Sequence, residues 1–582
     1  MTNPDIIIVV TYLVGIVGLG LYMSRRAAAG IESYFLSGRK MPAWLLAISG
    51  GFSWFDVAGT MWIIGMFYSY GFKAMWPQWM WGLVMPAFWM GYLGKWIRRS
   101  GVMTGAEWMK TRFGTGIDGR AAHTAMTLVA VITTVAFLST ASVGIGKFWS
   151  EFLGWSPHVC SGVILGCTAL YVIFGGMYSV VYTDLIQGIM LIIASVIVGV
   201  LAFNSLGGQS IESVAPAGWT NLAPVWKLPD AHNATYKLFG LMTIMWVFRG
   251  FLVGSSGPVI LYEFQRFLSA RNPRDASKIG MLWAVFFTIW WVFVIGIAVL
   301  VISKPEISVT DPERCLPAVL HSALPVGVRG ILMAALMGAF MSTFDSTVNS
   351  GAAYIVRDVY QQFIVPGASR RHLVIAGYAA SASLVVVGIL IGFVFSSIEQ
   401  IIHWIFMAFG SGILVPLVLR WYWWRFNGWG CTVGMVTGVL ASLGQAAFYP
   451  DSALYLSVPV IMGLSLSCSI IATLVTRPTE SETLEGFYVK VRPWGFWGPV
   501  KRRVQTAAAP KAVDSTASDI AVTLVGMPWI IALYMAPIYL ITHCWWRFLI
   551  SSGVVVISSI LLYFLWYKNL PPADELEGSA KG

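Results

Sequence analysis

Charge is what this sequence has least of. Only 11% of its 582 residues are Asp, Glu, Lys or Arg, while 57% are hydrophobic. A soluble domain needs far more charged surface than that, so a water-soluble protein is excluded. Cysteine and histidine are scarce too. The six cysteines, Cys160, Cys167, Cys315, Cys431, Cys468 and Cys544, are scattered without metal-ligand spacing, and they imply no disulfide framework. His123 and His403 stand alone at segment edges, an interfacial placement and not a catalytic one. Paired carboxylates in an accessible setting, a His cluster of metal spacing and a nucleophile motif are all missing, which argues against a membrane-embedded enzyme. Hydrophilic stretches are few: 476–520 is the one of any size, and neither it nor the loop 204–238 is large enough for an enzyme domain. A membrane sensor would need a sizeable cytoplasmic domain, and with PPADELEGSAKG as the closing stretch a sensor is the less expected reading.

What the chain has is apolar length. Segments near 5–23, 43–70, 75–97, 123–149, 157–175, 179–203, 239–262, 279–302, 329–356, 372–395, 399–419, 430–449, 454–475, 521–542 and 547–567 match the roughly 30 Å hydrocarbon core. They predict an all-α polytopic membrane protein with about fifteen crossings. Residues Ile6 to Met23 lack a basic leader and a small-residue cleavage site, so they read as a retained helix. The 28 Trp and 22 Tyr fit interfacial belts, with Trp79, Trp81 and Trp89 dense enough to suggest packing as well. A net charge of +11 is explained by topology more simply than by nucleic acid. Arg25, Arg26, Arg39 and Lys40, then Lys95, Arg98, Arg99, Lys110, Arg112 and Arg120, then Arg266, Arg271, Arg274 and Lys278, then Arg357, Arg370 and Arg371 fall in alternate loops. That pattern places the N-terminus outside and the C-terminus inside. Loop 204–238 is then external and carries a formal glycosylation pattern at Asn233-Ala234-Thr235. In 476–520, Trp494, Phe496 and Trp497 among basic residues suggest an interfacial front half, followed by a flexible linker.

One apolar segment is polar in its middle. Between Gly330 and Tyr360 the chain carries Ser342, Thr343, Asp345, Ser346, Thr347, Asn349 and Ser350. At helical spacing Ser342, Asp345, Ser346 and Asn349 share a face. Such groups cost several kcal/mol each in hydrocarbon unless satisfied, so the stripe should face a bundle interior, a cavity or an ion. Hydroxyls with a carboxylate are hard oxygen ligands, which suit an alkali cation better than zinc or copper. The plainer alternative is that the hydroxyls bond back to the preceding turn or hold helices together. Two other segments are poorly formed as continuous helices: Gly50-Gly51, Asp56 and Gly59 interrupt the second, and Gly250, Gly254, Ser255, Ser256, Gly257 and Pro258 the seventh. Each opens a block of five crossings, 43–203 and 239–419. Matched interruptions point to an inverted-repeat transporter with its site near the midplane, whereas glycine alone serves close packing.

Four motifs carry a resemblance. They are Tyr34-Phe35-Leu36-Ser37-Gly38-Arg39 with Pro42-Ala43-Trp44 and Ser53-Trp54-Phe55; Thr104-Gly105-Ala106-Glu107-Trp108 with Arg112-Phe113-Gly114; Gly175-Gly176-Met177-Tyr178-Ser179 running to Tyr182-Thr183-Asp184-Leu185-Ile186-Gln187; and Gln265-Arg266-Phe267-Leu268-Ser269-Ala270 with Met341-Ser342-Thr343-Phe344-Asp345-Ser346. With them the chain resembles the sodium:solute symporters, the family of sodium–glucose, sodium–proline and sialic acid carriers, from about residue 5 to 475. The resemblance implies a leucine-transporter-type 5+5 inverted repeat: 1–42 as an extra helix and cytoplasmic loop, 43–203 and 239–419 as the repeats, 204–238 as an external loop, and 420–475, 476–520 and 521–582 as accessory parts. It also implies a sodium site with hydroxyls from Ser342 and Thr343 and carbonyls from Ala339, Phe52 and Phe55. Asp184 falls on the family's motif carboxylate, and Asp345 and Ser346, one turn below Ser342, would hold a second cation or stabilise the first. Asp184 could instead pair with a hydroxyl or an Arg and hold helices together.

For the solute, Gln78 lies where the sugar carriers place a hydrogen-bonding acidic residue, while their sugar-contacting Asn and Lys fall on Val253 and Thr288. The chain adds Asp56 and Arg249. A buried Arg249 either clamps a substrate carboxylate or neutralises Asp56. The expectation is a sodium-coupled carrier of a small polar solute (sugar, acidic sugar, organic acid or amino acid) in a plasma or inner membrane.

Overall fold

A computed structural model describes residues 2–228, 236–257, 261–304, 306–307, 309–394, 408–449, 452–506 and 515–578. Among them there is no strand, only isolated bridges between Met41 and Ala270 and between Trp423 and Phe496. The main helices are α1 (Asn3–Ala27), α2 (Ala43–Phe52), α3 (Val57–Tyr70), α4 (Gly105–Phe113), α5 (Ile117–Leu153), α6 (Pro157–Ser205), α7 (Phe239–Ser256), α8 (Leu261–Ser269), α9 (Pro273–Ser303) and α10 (Val328–Tyr354). They continue with α11 (Arg370–Val394), α12 (Leu414–Tyr422), α13 (Gly428–Phe448), α14 (Leu454–Val475), α15 (Thr516–Ile541) and α16 (Trp545–Leu565). Eleven helices among the described residues are long and apolar enough to span a membrane.

Burial ranks these helices. In α10 and its extension, 94% of the most apolar stretch is buried, against 22% in α1 and 17% in the span that begins at Trp545. An apolar helix covered on all sides is the centre of a bundle, while one left bare faces lipid. The polar stripe therefore sits on the most enclosed helix, packed against α1, α5 and α6. Both interruptions are present. Four residues, 53–56, separate α2 from α3, and α7 ends at Ser256 before α8 begins at Leu261; Pro258 lies outside the described residues.

Several segments differ from the expectation. The two expected at 157–175 and 179–203 form one run, α6, bent at Gly176, whose φ of +48° only glycine adopts cheaply. A Cβ there would come within 2.5 Å of the Tyr34 carbonyl, so the motif's second glycine makes both a bend and a contact. The segment at 75–97 is not one helix: 3₁₀ turns at Gly71–Met75 and Pro77–Trp81 precede Met85–Phe88, a π segment Trp89–Leu93 and Gly94–Ser100. Pro77 and Pro86 each lack the N–H that a longer helix would need there. Much of 399–419, with His403, and the Asn233-Ala234-Thr235 pattern lie outside the described residues. The tryptophans do pack: Trp89 is fully buried, edge-on to Phe267 and Trp283. Gly50 lets α2 meet α9, because a Cβ would overlap the Trp283 ring at 2.1 Å.

In the front half of 476–520 Trp497 is docked on protein, while Phe496 is 76% exposed. Trp497 is 2% exposed and its Nε1 donates to the Trp421 carbonyl at 2.8 Å. Arg112 lies 4.8 Å from the Trp497 ring centre and 5.4 Å from that of Phe487, and it donates to the carbonyls of Arg420, Trp423 and Phe426. Burial pulls the Arg112 guanidinium down to about 9, so it remains a cation at neutral pH. The linker at 507–514 lies outside the described residues. His123, expected at an interface, is fully buried and meets Asp358 Oδ1 at 2.8 Å. All six cysteines are free.

Candidate functional site

The break between α2 and α3 lies against the polar face of α10. Thr343 Oγ1 donates to the Ser53 carbonyl at 2.7 Å and contacts the Ala339 carbonyl at 3.2 Å. Ser53 Oγ lies 3.1 Å from Ser342 Oγ and 3.2 Å from Ser346 Oγ, and it donates to the Ser49 carbonyl at 2.6 Å. Ser49, Ser53, Ser342 and Ser346 are all fully buried. Ending α2 at Phe52 leaves carbonyls without helical partners, and α10 brings hydroxyls to them. Of the carbonyls expected to line the site, Phe52's already accepts the Phe55 N–H at 2.9 Å; the Ser53 carbonyl is the one in contact with Thr343.

Below this lies a charged layer. Asp184, on α6, accepts from Ser49 Oγ and lies 3.4 Å from Arg266 Nη2, so both structural partners open to it in the sequence are present. Its Oδ1 has no protein partner among those described. Arg266, on α8, is fully buried and donates through Nη2 to Ser346 Oγ at 2.5 Å and to Ser49 Oγ at 2.8 Å. Asp345 is held apart from it, accepting from Tyr171 OH at 2.8 Å. Gln187, which closes the third motif, is buried with its amide unpartnered among the described residues. Ser49 and Ser53 were missed in the sequence, although their i, i+4 spacing at the end of a glycine-rich helix matches that of Ser342 and Ser346 on α10. Arg266 was counted as a loop charge; its burial follows from α8 turning back under α10.

The expected solute residues separate into two groups. Arg249 on α7 is buried and donates to the Met80 carbonyl and, at 3.4 Å, to Ser411 Oγ, which brings it to the 3₁₀ turn that carries Gln78. Gln78 is buried, and its Nε2 has no partner among the described residues. Asp56 instead caps α3: its Oδ1 accepts the Gly59 N–H at 2.6 Å. No ion pair joins Asp56 to Arg249 among the described residues, so the neutralising role considered for Arg249 is not observed. Thr288 donates to the Ala284 carbonyl at 3.1 Å, between Phe287, which packs on Trp54, and Trp290, which packs on Phe55.

The profile of the sodium:solute symporter family matches residues 34–438, which include the break, the polar helix and the Arg266 layer. The chain belongs to the sodium:solute symporter family. Individual relatives agree. The symporter is 27% identical over 498 residues to sodium/glucose cotransporter 4 of Danio rerio, covering 76% of this chain and 72% of that one. It is 27% identical over 511 residues to the sodium/glucose cotransporter of Vibrio parahaemolyticus, covering 80% and 91%. It is 23% identical over 476 residues to the high-affinity proline transporter PutP of Bacillus subtilis, covering 79% and 96%. In three dimensions it matches a Na+-coupled sialic acid symporter in a substrate-bound outward-open state, with a TM-score of 0.67, 17% identity, and coverage of 82% of this chain and 99% of that one. The symporter is therefore an integral membrane protein with sodium as its coupling ion, and its named relatives are transporters, not enzymes. The donor set fits that ion: neutral hydroxyl and carbonyl oxygens, with the unpartnered Asp184 Oδ1 nearby.

Proposed function

We propose that this symporter carries a small polar organic solute across a plasma or inner membrane by alternating access, with sodium seated where the α2–α3 break meets α10. Ser342, Thr343 and the Ala339 carbonyl supply one side of the seat, and the backbone from Phe52 to Phe55 the other. The contacts that Thr343 and Ser342 make with Ser53 support this reading, because a cation there ties a broken helix to the most buried one. Such an ion stabilises only arrangements in which the two elements touch, and it shifts the population toward them by its differential affinity. Neutral oxygens bind it weakly enough for release into the cytoplasm. Coupling is reciprocal: solute must raise sodium affinity by the factor that sodium raises solute affinity. Asp184 and Asp345 set the charge beneath the seat, and Ser346 adds a hydroxyl oxygen there. The resemblance supports a 5+5 repeat with the N-terminus outside, and the two helix breaks agree with it.

The solute chamber in this reading is lined by Arg249, Gln78 and Thr288, with Asp56 at the helix break. Among the described residues Arg249 has no carboxylate partner, and a buried guanidinium left so is matched by a carboxylate on the solute. An acidic sugar or a small organic acid fits best, with the Gln78 amide for hydroxyls. The half-buried Asp56 gives a second reading, an amino acid whose ammonium would face it. A thermal-shift screen of sugars, amino acids and organic acids, with sodium and with choline, tests the assignment. Stabilisation by a carboxylate solute that depends on sodium is expected, followed by sodium-gradient uptake of that solute in proteoliposomes. Stabilisation by neutral sugars alone would remove Arg249 from the solute site, and uptake indifferent to sodium would remove the seat.

A further inference from the structure

We infer that the segment after α16 is a latch: Glu575, clasped by Arg99 and Arg492, holds the cytoplasmic side closed and suppresses the passage of sodium without solute. The inference rests on the topology, the alternating access and the sodium seat proposed above. Arg99 Nε donates to Glu575 Oε1 at 3.0 Å and its Nη2 to Oε2 at 3.3 Å, a two-pronged grip, and Arg492 Nη1 donates to the same Oε1 at 3.1 Å. The Glu575 side chain is 13% exposed and that of Arg99 2%, so water screens their attraction little. Arg492 ends the helix Ser481–Val491 in a left-handed conformation, φ +58°, which is uncommon for a residue with a side chain and collects at clamps and switch points.

The clasp is the last of three rungs along one face of a core helix. Trp566 Nε1 donates to the Met90 carbonyl at 3.0 Å, Lys95 Nζ donates to Asp519 Oδ1 at 2.7 Å, and Arg99 grips Glu575. Residues 90, 95 and 99 are one π turn and one α turn apart, because the π segment Trp89–Leu93 runs into Gly94–Ser100. The C-terminal part of the chain thus fastens the cytoplasmic half of a segment whose other end, Pro77–Trp81, carries Gln78. The family profile ends at residue 438, so all three C-terminal partners lie beyond it. The third rung also reaches a second element, since Arg492 joins Glu575 to Ser481–Val491. That helix packs through Phe487 on Trp108 of α4, ring centres 5.5 Å apart, and the Gly105 N–H of α4 donates to Tyr354 OH, at the end of α10, at 3.0 Å. The clasp therefore closes a chain of contacts that runs from the Gln78 segment to α10. An inward opening that separates those two must break it.

Sodium leak tests this without knowledge of the solute. The purified full chain in proteoliposomes, with potassium and valinomycin clamping the membrane potential, should take up radioactive sodium slowly. Glu575→Gln and Arg492→Gln should each speed that uptake by about 2- to 10-fold, the effect of losing a charge contact at the edge of the protein. The double variant should leak like Glu575→Gln alone, because the two changes break one clasp. Asp574→Asn, an exposed neighbour outside the clasp, should leak like the wild type. Adding Thr343→Ala to Glu575→Gln should slow the leak again, since the ion passes through the seat. Folded clasp variants that leak no faster than the wild type would overturn the latch and leave the seat standing. A faster leak that Thr343→Ala does not slow would run outside the seat and overturn both. If Glu575→Gln fails to fold, Arg492→Gln, on the more exposed side of the clasp, decides.

Discussion

Removing the Thr343 hydroxyl is the sharpest probe of the seat. That oxygen sits 2.7 Å from the Ser53 carbonyl and 3.2 Å from the Ala339 carbonyl, so Thr343→Ala takes one ligand from the proposed seat and loosens the α2–α3 break at once. A contact between a neutral group and a charge contributes about 1.5–3 kcal/mol, or about 10- to 150-fold in sodium affinity. At a sodium concentration near 100 times the wild-type Kd, binding adds about 2.7 kcal/mol of stability; a variant about 30-fold weaker keeps about 0.9 kcal/mol. The assay is the thermal melting of purified protein in sodium minus that in choline. The subtraction removes any loss of ion-free stability caused by the orphaned carbonyl. The sodium-dependent shift should fall to about a third of the wild-type value, and Thr343→Ser should restore most of it. A Thr343→Ala protein that sodium stabilises as strongly as the wild type would refute the reasoning.

Arg249→Gln should weaken a carboxylate solute by about 10- to 100-fold and leave neutral solutes unchanged, read as solute-induced melting shifts; equal losses on both would make Arg249 structural. Gly176→Ala forces a left-handed φ and drives a Cβ to within 2.5 Å of the Tyr34 carbonyl, so it should cost about 2–5 kcal/mol of stability. Gly166→Ala on the same helix meets nothing within 4 Å and should melt like the wild type, and equal melting of the two variants would contradict this account of the bend. Arg112→Lys keeps the charge but loses the fork that reaches three backbone carbonyls and the stacking on Phe487 and Trp497. Limited proteolysis within 481–506 should then speed up while sodium binding stays intact; unchanged cleavage would show that Arg112 does not hold this segment.

The expectation of about fifteen crossings came from hydropathy, against eleven spanning helices among the described residues, and its errors came from what hydropathy cannot see. An apolar run says that residues leave water, not whether they do so as one helix. The 75–97 segment is largely apolar yet breaks at its prolines, and α6 reads as two segments because Gly175-Gly176 marks a bend instead of a loop. His123 looked interfacial because its partner, Asp358, is 235 positions away. Arg266 illustrates the same limit. As a basic residue between apolar segments it reads as a topology charge, and only the return of α8 beneath α10 turns it inward to Ser346 and Asp184.

Composition and periodicity alone determined that this chain lives in a bilayer, that the segment forming α10 carries hydroxyl and carboxylate oxygens on one face, and that two helices are interrupted. Those are local properties: the cost of putting a polar group or a glycine into an apolar helix is set by the residue and its few neighbours. The motifs added the family. Which oxygens meet was decided by tertiary structure: Ser53 and not Phe52 at Thr343, Arg266 at Ser346, and Asp56 spent on a helix cap instead of on Arg249. A hydrogen bond or an ion pair exists only within a few ångströms, and the sequence carries no distances between helices that lie hundreds of residues apart.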